Sequence, residues 1–99
     1  MIRHIVLFSL KKDIEESEKA SQLKGFKKEF EGLVGQIPSL RSLEIGLNVN
    51  SKESYDMALV ATADDMEGLQ AYAVDPRHQA IVAKLKPLLE SRACTDYKY

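Results

Sequence analysis

The chain has little that announces a chemistry. It holds one cysteine and two histidines among 99 residues. A single cysteine excludes an internal disulfide, so nothing ties folding to an oxidising compartment. Two histidines and one cysteine are too few for a recognisable zinc motif. There is no glycine-rich phosphate loop and no nucleophile elbow. Long apolar runs are missing too. I-V-L-F at 5–8 and M-A-L-V-A at 57–61 fall far short of the ~18 residues of a membrane helix. The first of them is also shorter than the ~7–15-residue core of a secretory signal. Nor does charge of one sign dominate. Fourteen Lys and Arg against 15 Asp and Glu leave a net charge of −1, which removes the electrostatic case for nucleic acid or an anionic membrane. The expectation is a cytoplasmic protein with neither as partner.

What remains is the composition of a soluble globular protein, 44% hydrophobic and 29% charged. Residues 1–99 make a single domain. A chain of this size buries only ~60–65% of its unfolded surface, which favours a modest core or an oligomer.

Periodicity supplies the elements. Residues 2–10 read as a strand, with Ile2, His4, Val6, Phe8 and Leu10 on one face and Arg3, Ile5, Leu7 and Ser9 on the other. Asp13 and Glu16 form a capping-box variant opening a long helix. Its stripe is Leu23, Phe26, Phe30, Leu33, Val34 and Ile37, and Gly35 and Pro38 bracket its end. Residues 40–49 and 55–63 predict two strands around a polar hairpin loop at 50–54. Asp64 with Glu67 caps a short helix carrying Met66, Leu69, Tyr72 and Ala73. Asp75 caps the next, with Pro76 at its first position and an early end near Pro87. The tail A-C-T-D-Y-K-Y closes as a strand.

Strand, helix, strand, strand, helix pair, strand is the order of a ferredoxin-like split-βαβ α+β sandwich, with a four-stranded antiparallel sheet. Ile5, Leu7, Ala58 and Val60 share one sheet face, and Val6, Phe8, Met57 and Leu59 the other. Helices cover only one. Leaving even ~500 Å² of apolar surface wet forgoes about 12 kcal/mol of gross burial. A homodimer packed sheet on sheet is the expected solution.

I-R-H-I-V-L-F at the start, I-P-S-L, G-L-N-V, Y-D-M-A-L-V, A-Y-A-V-D-P-R-H-Q and the closing D-Y together resemble the stress-responsive A/B barrel (Dabb) family from end to end. The resemblance implies ferredoxin-like subunits paired into a dimeric α+β barrel. Many members have no assigned activity, and one plant member is a polyketide cyclase that performs an intramolecular aldol condensation. Its acting tyrosine and histidine match Tyr72 and His78, its N-terminal histidine matches His4, and its late aspartate matches Asp96. Met57 and Phe30 stand where the cyclase has a histidine and a tyrosine, which makes the same substrate unlikely. The implied pocket lining is His4, Val6, Phe8, Phe30, Met57 and Asp96. Family structures also imply a structural magnesium on the main-chain oxygens of Val34, Ile37 and Leu40, the one cofactor suggested.

His78, third in its helix, meets the positive end of the helix dipole. A neutral ring able to act as general base is expected. Tyr72 could donate to a carbonyl oxygen and steady an enolate. Each has a plainer reading, His78 as a surface or capping residue and Tyr72 as an amphipathic tyrosine at a helix end. His4 reads as a hydrogen-bonded core residue, Asp96 as a polar strand-end residue and Cys94 as a small strand residue. Two functions follow: a dimeric barrel whose pocket takes a small apolar or aromatic molecule, with cyclase-like chemistry at His78 and Tyr72 if it is an enzyme, or a non-enzymatic stress-response or scaffolding protein. An enclosed cavity touching both residues separates the first from the second.

Overall fold

The computed structural model describes all residues from Met1 to Tyr99. Strand β1 (Ile2–Leu10) leads into helix α1 (Glu16–Glu31), then β2 (Ser42–Leu47) and β3 (Met57–Ala63). Helices α2 (Met66–Val74) and α3 (Pro76–Leu85) follow, then a 3₁₀ turn (Lys86–Leu88) and β4 (Leu89–Lys98). The strands form one antiparallel sheet in the order β2-β3-β1-β4. This is the ferredoxin-like arrangement.

The strand alternation decides what is core. Val6 lies opposite Leu59, Phe8 opposite Met57, and Ile45 opposite Leu59 on the other side. These residues, with Leu23, Phe26 and Phe30 of α1, Leu69 and Tyr72 of α2 and Ile81 and Leu85 of α3, belong to one buried cluster. Every sheet member of that cluster comes from the helix-facing side. The other face carries Ile5, Leu7, Ala58 and Val60, all only partly buried, so the chain's own helices leave that face unfilled.

Three local readings are corrected. The Asp13–Glu16 capping box does not form: α1 begins at Glu16 behind Glu15, which makes no side-chain cap bond. Helix α1 ends at Glu31 rather than running on to Ile37. Turns carry the chain from Gly32, and Gly35 takes φ 89°, a left-handed conformation that suits glycine and ends helical winding. Leu33 and Ile37 stay buried because the turns wind on the same side, but Val34 is exposed. Asp65, not Asp64, caps α2, accepting the Gly68 N–H at 2.8 Å. Asp64 instead takes both arms of the Arg41 guanidinium, at 3.0 and 2.7 Å.

The two edges of the sheet are finished differently. At β2, Glu31 accepts the Ile45 N–H at 3.0 Å and Lys27 donates to the Ile45 carbonyl at 2.6 Å. The same two side chains pair with each other at 2.9 Å, one helical turn apart. Helix α1 thus occupies backbone groups that a free edge would offer to another strand. At β4 no residue is buried, and the helical layer stops short of it.

Candidate functional site

The break between α2 and α3 builds the site. Asp75 is extended, at φ −62° and ψ 133°. Its carboxylate accepts the Arg77 N–H at 2.9 Å and holds the Arg77 guanidinium at 2.9 and 2.8 Å. The guanidinium, helped by that backbone bond, lowers the Asp75 carboxyl from 3.8 to about 2. Proline at the first position of α3 completes the start. Ending α2 also frees its last carbonyls, which have no intrahelical partner. The Ala73 carbonyl is then claimed by His78 Nδ1 at 2.9 Å and by Gln79 Nε2 at 2.7 Å.

That bond fixes the ring chemistry. A carbonyl only accepts, so Nδ1 carries a proton, and in the neutral ring Nε2 is the nitrogen with the lone pair. Burial holds the His78 pKa below its ordinary 6.5. His4 and Arg92 push the same way, while the Ala73 bond and Asp75 oppose. The shift runs in the direction anticipated from the helix dipole, with desolvation as its main cause.

Tyr72 lies beside it, the two ring centroids 4.4 Å apart and inclined at 48°. Only 1% of Tyr72 is exposed, and burial pushes its phenol well above the ordinary value of 10.0. It remains an O–H donor at any working pH. Yet its hydroxyl has no hydrogen-bond partner. Buried polar groups in folded proteins are nearly always paired, and an orphan costs about 1–3 kcal/mol. Ser39 Oγ is the only other buried side-chain polar atom left so.

Both rings line a cavity of about 420 Å³, within the usual size for small-molecule sites. Eleven of its 17 lining residues are hydrophobic, so an apolar or aromatic body suits it. The lining joins Val6, Phe8 and Phe30 to a polar end made by His4, Tyr72, His78 and Asp96. Met57, anticipated in the wall, lies instead in the packed core at 1% exposure and outside this lining. It pairs with Phe8 on the sheet, two residues along β3 from Leu59, which does line the cavity.

His4 is partly buried and sits opposite Asp96 across β1 and β4. Its Nδ1 meets Asp96 Oδ1 at 2.5 Å. Its ring makes an edge contact with Tyr72 at 6.4 Å. Asp96 is therefore more than a strand-end polar residue, because it orients the second imidazole of the cavity. Sequence spacing gives no hint of this pair, 92 residues apart; only the antiparallel register creates it. Cys94 Sγ approaches the same His4 nitrogen at 3.6 Å. With thiol and carboxylate on one ring nitrogen, the imidazole cannot relay a proton between them, so no Cys–His–Asp nucleophile is assembled. The ligand atoms of His4, Cys94 and Asp96 all lie within 4.8 Å of one another, with Cys94 and Asp96 exposed.

The magnesium set has no side-chain ligand to mark it. The Ile37 carbonyl already accepts the Leu40 N–H at 3.1 Å. Residues 34–40 contain no carboxylate to complement neutral carbonyls. The orphaned Ser39 hydroxyl belongs to a side chain packed toward Gly68 of α2. Magnesium on the main-chain oxygens of Val34, Ile37 and Leu40 stays what the family resemblance implies, and no chemistry is routed through it.

A ferredoxin-like α+β subunit with an apolar cavity and two imidazoles at its polar end defines the class. Residues 2–99 match the stress responsive A/B barrel domain, and the chain belongs to that family. An uncharacterized protein of Streptomyces coelicolor is 39% identical over 84 residues, 84% of each chain. Olivetolic acid cyclase of Cannabis sativa is 25% identical over 99 residues, covering 97% of this chain and 94% of the cyclase. A dimeric protein of ferredoxin-like fold from Bacteroides fragilis superposes with a TM-score of 0.95 at 38% identity, over 99% of this chain and 95% of that one.

Proposed function

We propose that the protein is a homodimer in which each subunit's cavity binds a small apolar or aromatic molecule, with His78 and Tyr72 moving a proton next to a carbonyl. The observation that carries this is the Tyr72 hydroxyl, buried and unpaired on a ring that lines the cavity beside the His78 imidazole. A ligand carbonyl is the acceptor it lacks. Polarised by that O–H, the ligand would lose an adjacent proton to His78 Nε2. The Ala73 carbonyl would hold the resulting imidazolium through Nδ1–H. The charge developing on the ligand oxygen is stabilised by the phenol. Kinship with olivetolic acid cyclase supports such carbon-acid chemistry. The loss of polar groups at Met57 and Phe30 argues for a different substrate.

The dimer rests on the unfilled face of Ile5, Leu7, Ala58 and Val60 and on the dimeric state of the Bacteroides fragilis structure. No helix is long and apolar enough to cross a membrane, and a cytoplasmic setting suits the single exposed thiol of Cys94.

The chemical test is hydrogen–deuterium exchange next to the carbonyl of simple aryl ketones, followed by NMR in heavy water. Wild type should accelerate exchange. His78→Gln should slow the catalysed exchange by about 10²–10⁴-fold and Tyr72→Phe by about 10²–10³-fold, with ketone binding little changed. Ketone binding without any acceleration would reduce the site to a binding pocket. Equal losses of binding and turnover in His78→Ala would make that ring a contact only.

A further inference from the structure

The wall of the cavity holds two cations that nothing in the chain neutralises. Arg92 stands on the helix-facing side of β4, opposite Phe8. Lys86 opens the 3₁₀ turn after α3. Both line the cavity and both are exposed. Neither takes part in any of the six ion pairs of the chain or in a side-chain hydrogen bond. Asp96 is the one carboxylate on that wall, and it is engaged by His4. A solitary lysine on a surface needs no explanation. Two cations without an ion-pair partner, brought from separate elements to a mostly apolar cavity, outnumber its single carboxylate, Asp96.

We infer that the ligand of this cavity is an amphiphilic carboxylic acid, whose carboxylate is held by Arg92 and Lys86 while its apolar body lies along Phe8 and Val82. The inference rests on the cavity being a ligand site and names the class of ligand. The guanidinium is a planar fork that matches a carboxylate with two parallel hydrogen bonds. Lys86 adds a point charge. An anion so placed leaves the Tyr72 hydroxyl and His78 Nε2 for a second polar group of the ligand. The positive field of Arg92, which disfavours protonation of His78, would be partly cancelled once the acid binds. Ligand entry would thus make the base stronger where it is needed.

Calorimetry with 4-pentylbenzoate and its uncharged counterpart 4-pentylbenzamide tests this on the whole protein. Wild type should bind the acid at least ~10-fold more tightly. The Arg92→Met, Lys86→Met double variant should bring the acid down to the amide's affinity and leave the amide unchanged. Arg92→Lys alone should lose only part of the preference, since the charge stays and the fork goes. Raising salt should weaken the acid and spare the amide. Because both side chains are exposed, folding of the variants is checked by their unfolding midpoints. Equal affinity of acid and amide for wild type, or equal weakening of both in the double variant, would overturn the inference while leaving the cavity a binding site. If neither these compounds nor neutral aryl ketones bind, both it and the functional reading beneath it fall.

Discussion

The two edges of the sheet are built from similar strands and end differently. At β2, helix α1 lies over the strand, and the Lys27–Glu31 pair occupies the backbone of Ile45. Ile45 itself is 1% exposed. At β4, the helices fall short, and inward-facing residues are Arg92, Cys94 and Asp96 rather than apolar groups. One edge is core and the other is cavity wall. The difference shows how a small α+β layer makes a site: it finishes one half tightly and leaves the other half lined but unfilled. Buried apolar packing is concentrated at the first and polar side chains at the second.

Substitutions at each edge should separate those roles. The largest effect is expected from Ile45→Ala, a buried truncation at the closed edge. It should cost about 2–5 kcal/mol in a denaturant titration, with binding at the cavity preserved in the molecules that remain folded. A loss under 1 kcal/mol would show that the closed half is looser than its packing implies. Glu31→Ala is gentler, about 1 kcal/mol, because the Ile45 N–H loses its partner at a partly exposed position. Its distinguishing sign is a rise in self-association by light scattering, as the edge becomes free to pair.

At the open edge the sign should reverse. Tyr72→Phe removes a hydroxyl that is buried and unpaired, so it should stabilise the ligand-free protein by about 1 kcal/mol while slowing the chemistry. A destabilisation would mean that the hydroxyl has an acceptor in solution, such as a bound water. Smallest is the pH response of His78. Its folded pKa lies below its ordinary 6.5, so the unfolded chain binds the extra proton first. The contribution is therefore complete above about 6.5 and is lost as pH falls through the lower folded value. His78→Gln should flatten that part of the stability profile. Asp75, also depressed, acts further down, losing its contribution as pH falls from 3.8 towards about 2; it should change little with His78→Gln, because Arg77 is the main cause of its shift and His78 the smallest.

Much of this architecture was legible in the residues. The alternation of β1 and β3 identifies two apolar faces, and the Asp75–Pro76 start of α3 is local chemistry that spacing reveals. The errors have the same locality. Asp64 and Asp65 are interchangeable as caps until Arg41, distant in sequence, claims one of them. Asp13 with Glu16 has the right spacing, but α1 starts beyond Asp13 at Glu16. The stripe through Ile37 continues past the helix because burial follows position in space, and turns can serve it as well as helix.

By itself the sequence determined the elements, their order, and that the sheet is apolar on both sides, because these depend on period and on residues a few positions apart. The tertiary structure alone decided that His4 meets Asp96, that the end of α2 lends its Ala73 carbonyl to His78, and that Tyr72 is shut away without an acceptor. Each is a matter of register or helix ending, set by how distant segments pack, and no window of neighbouring residues contains it.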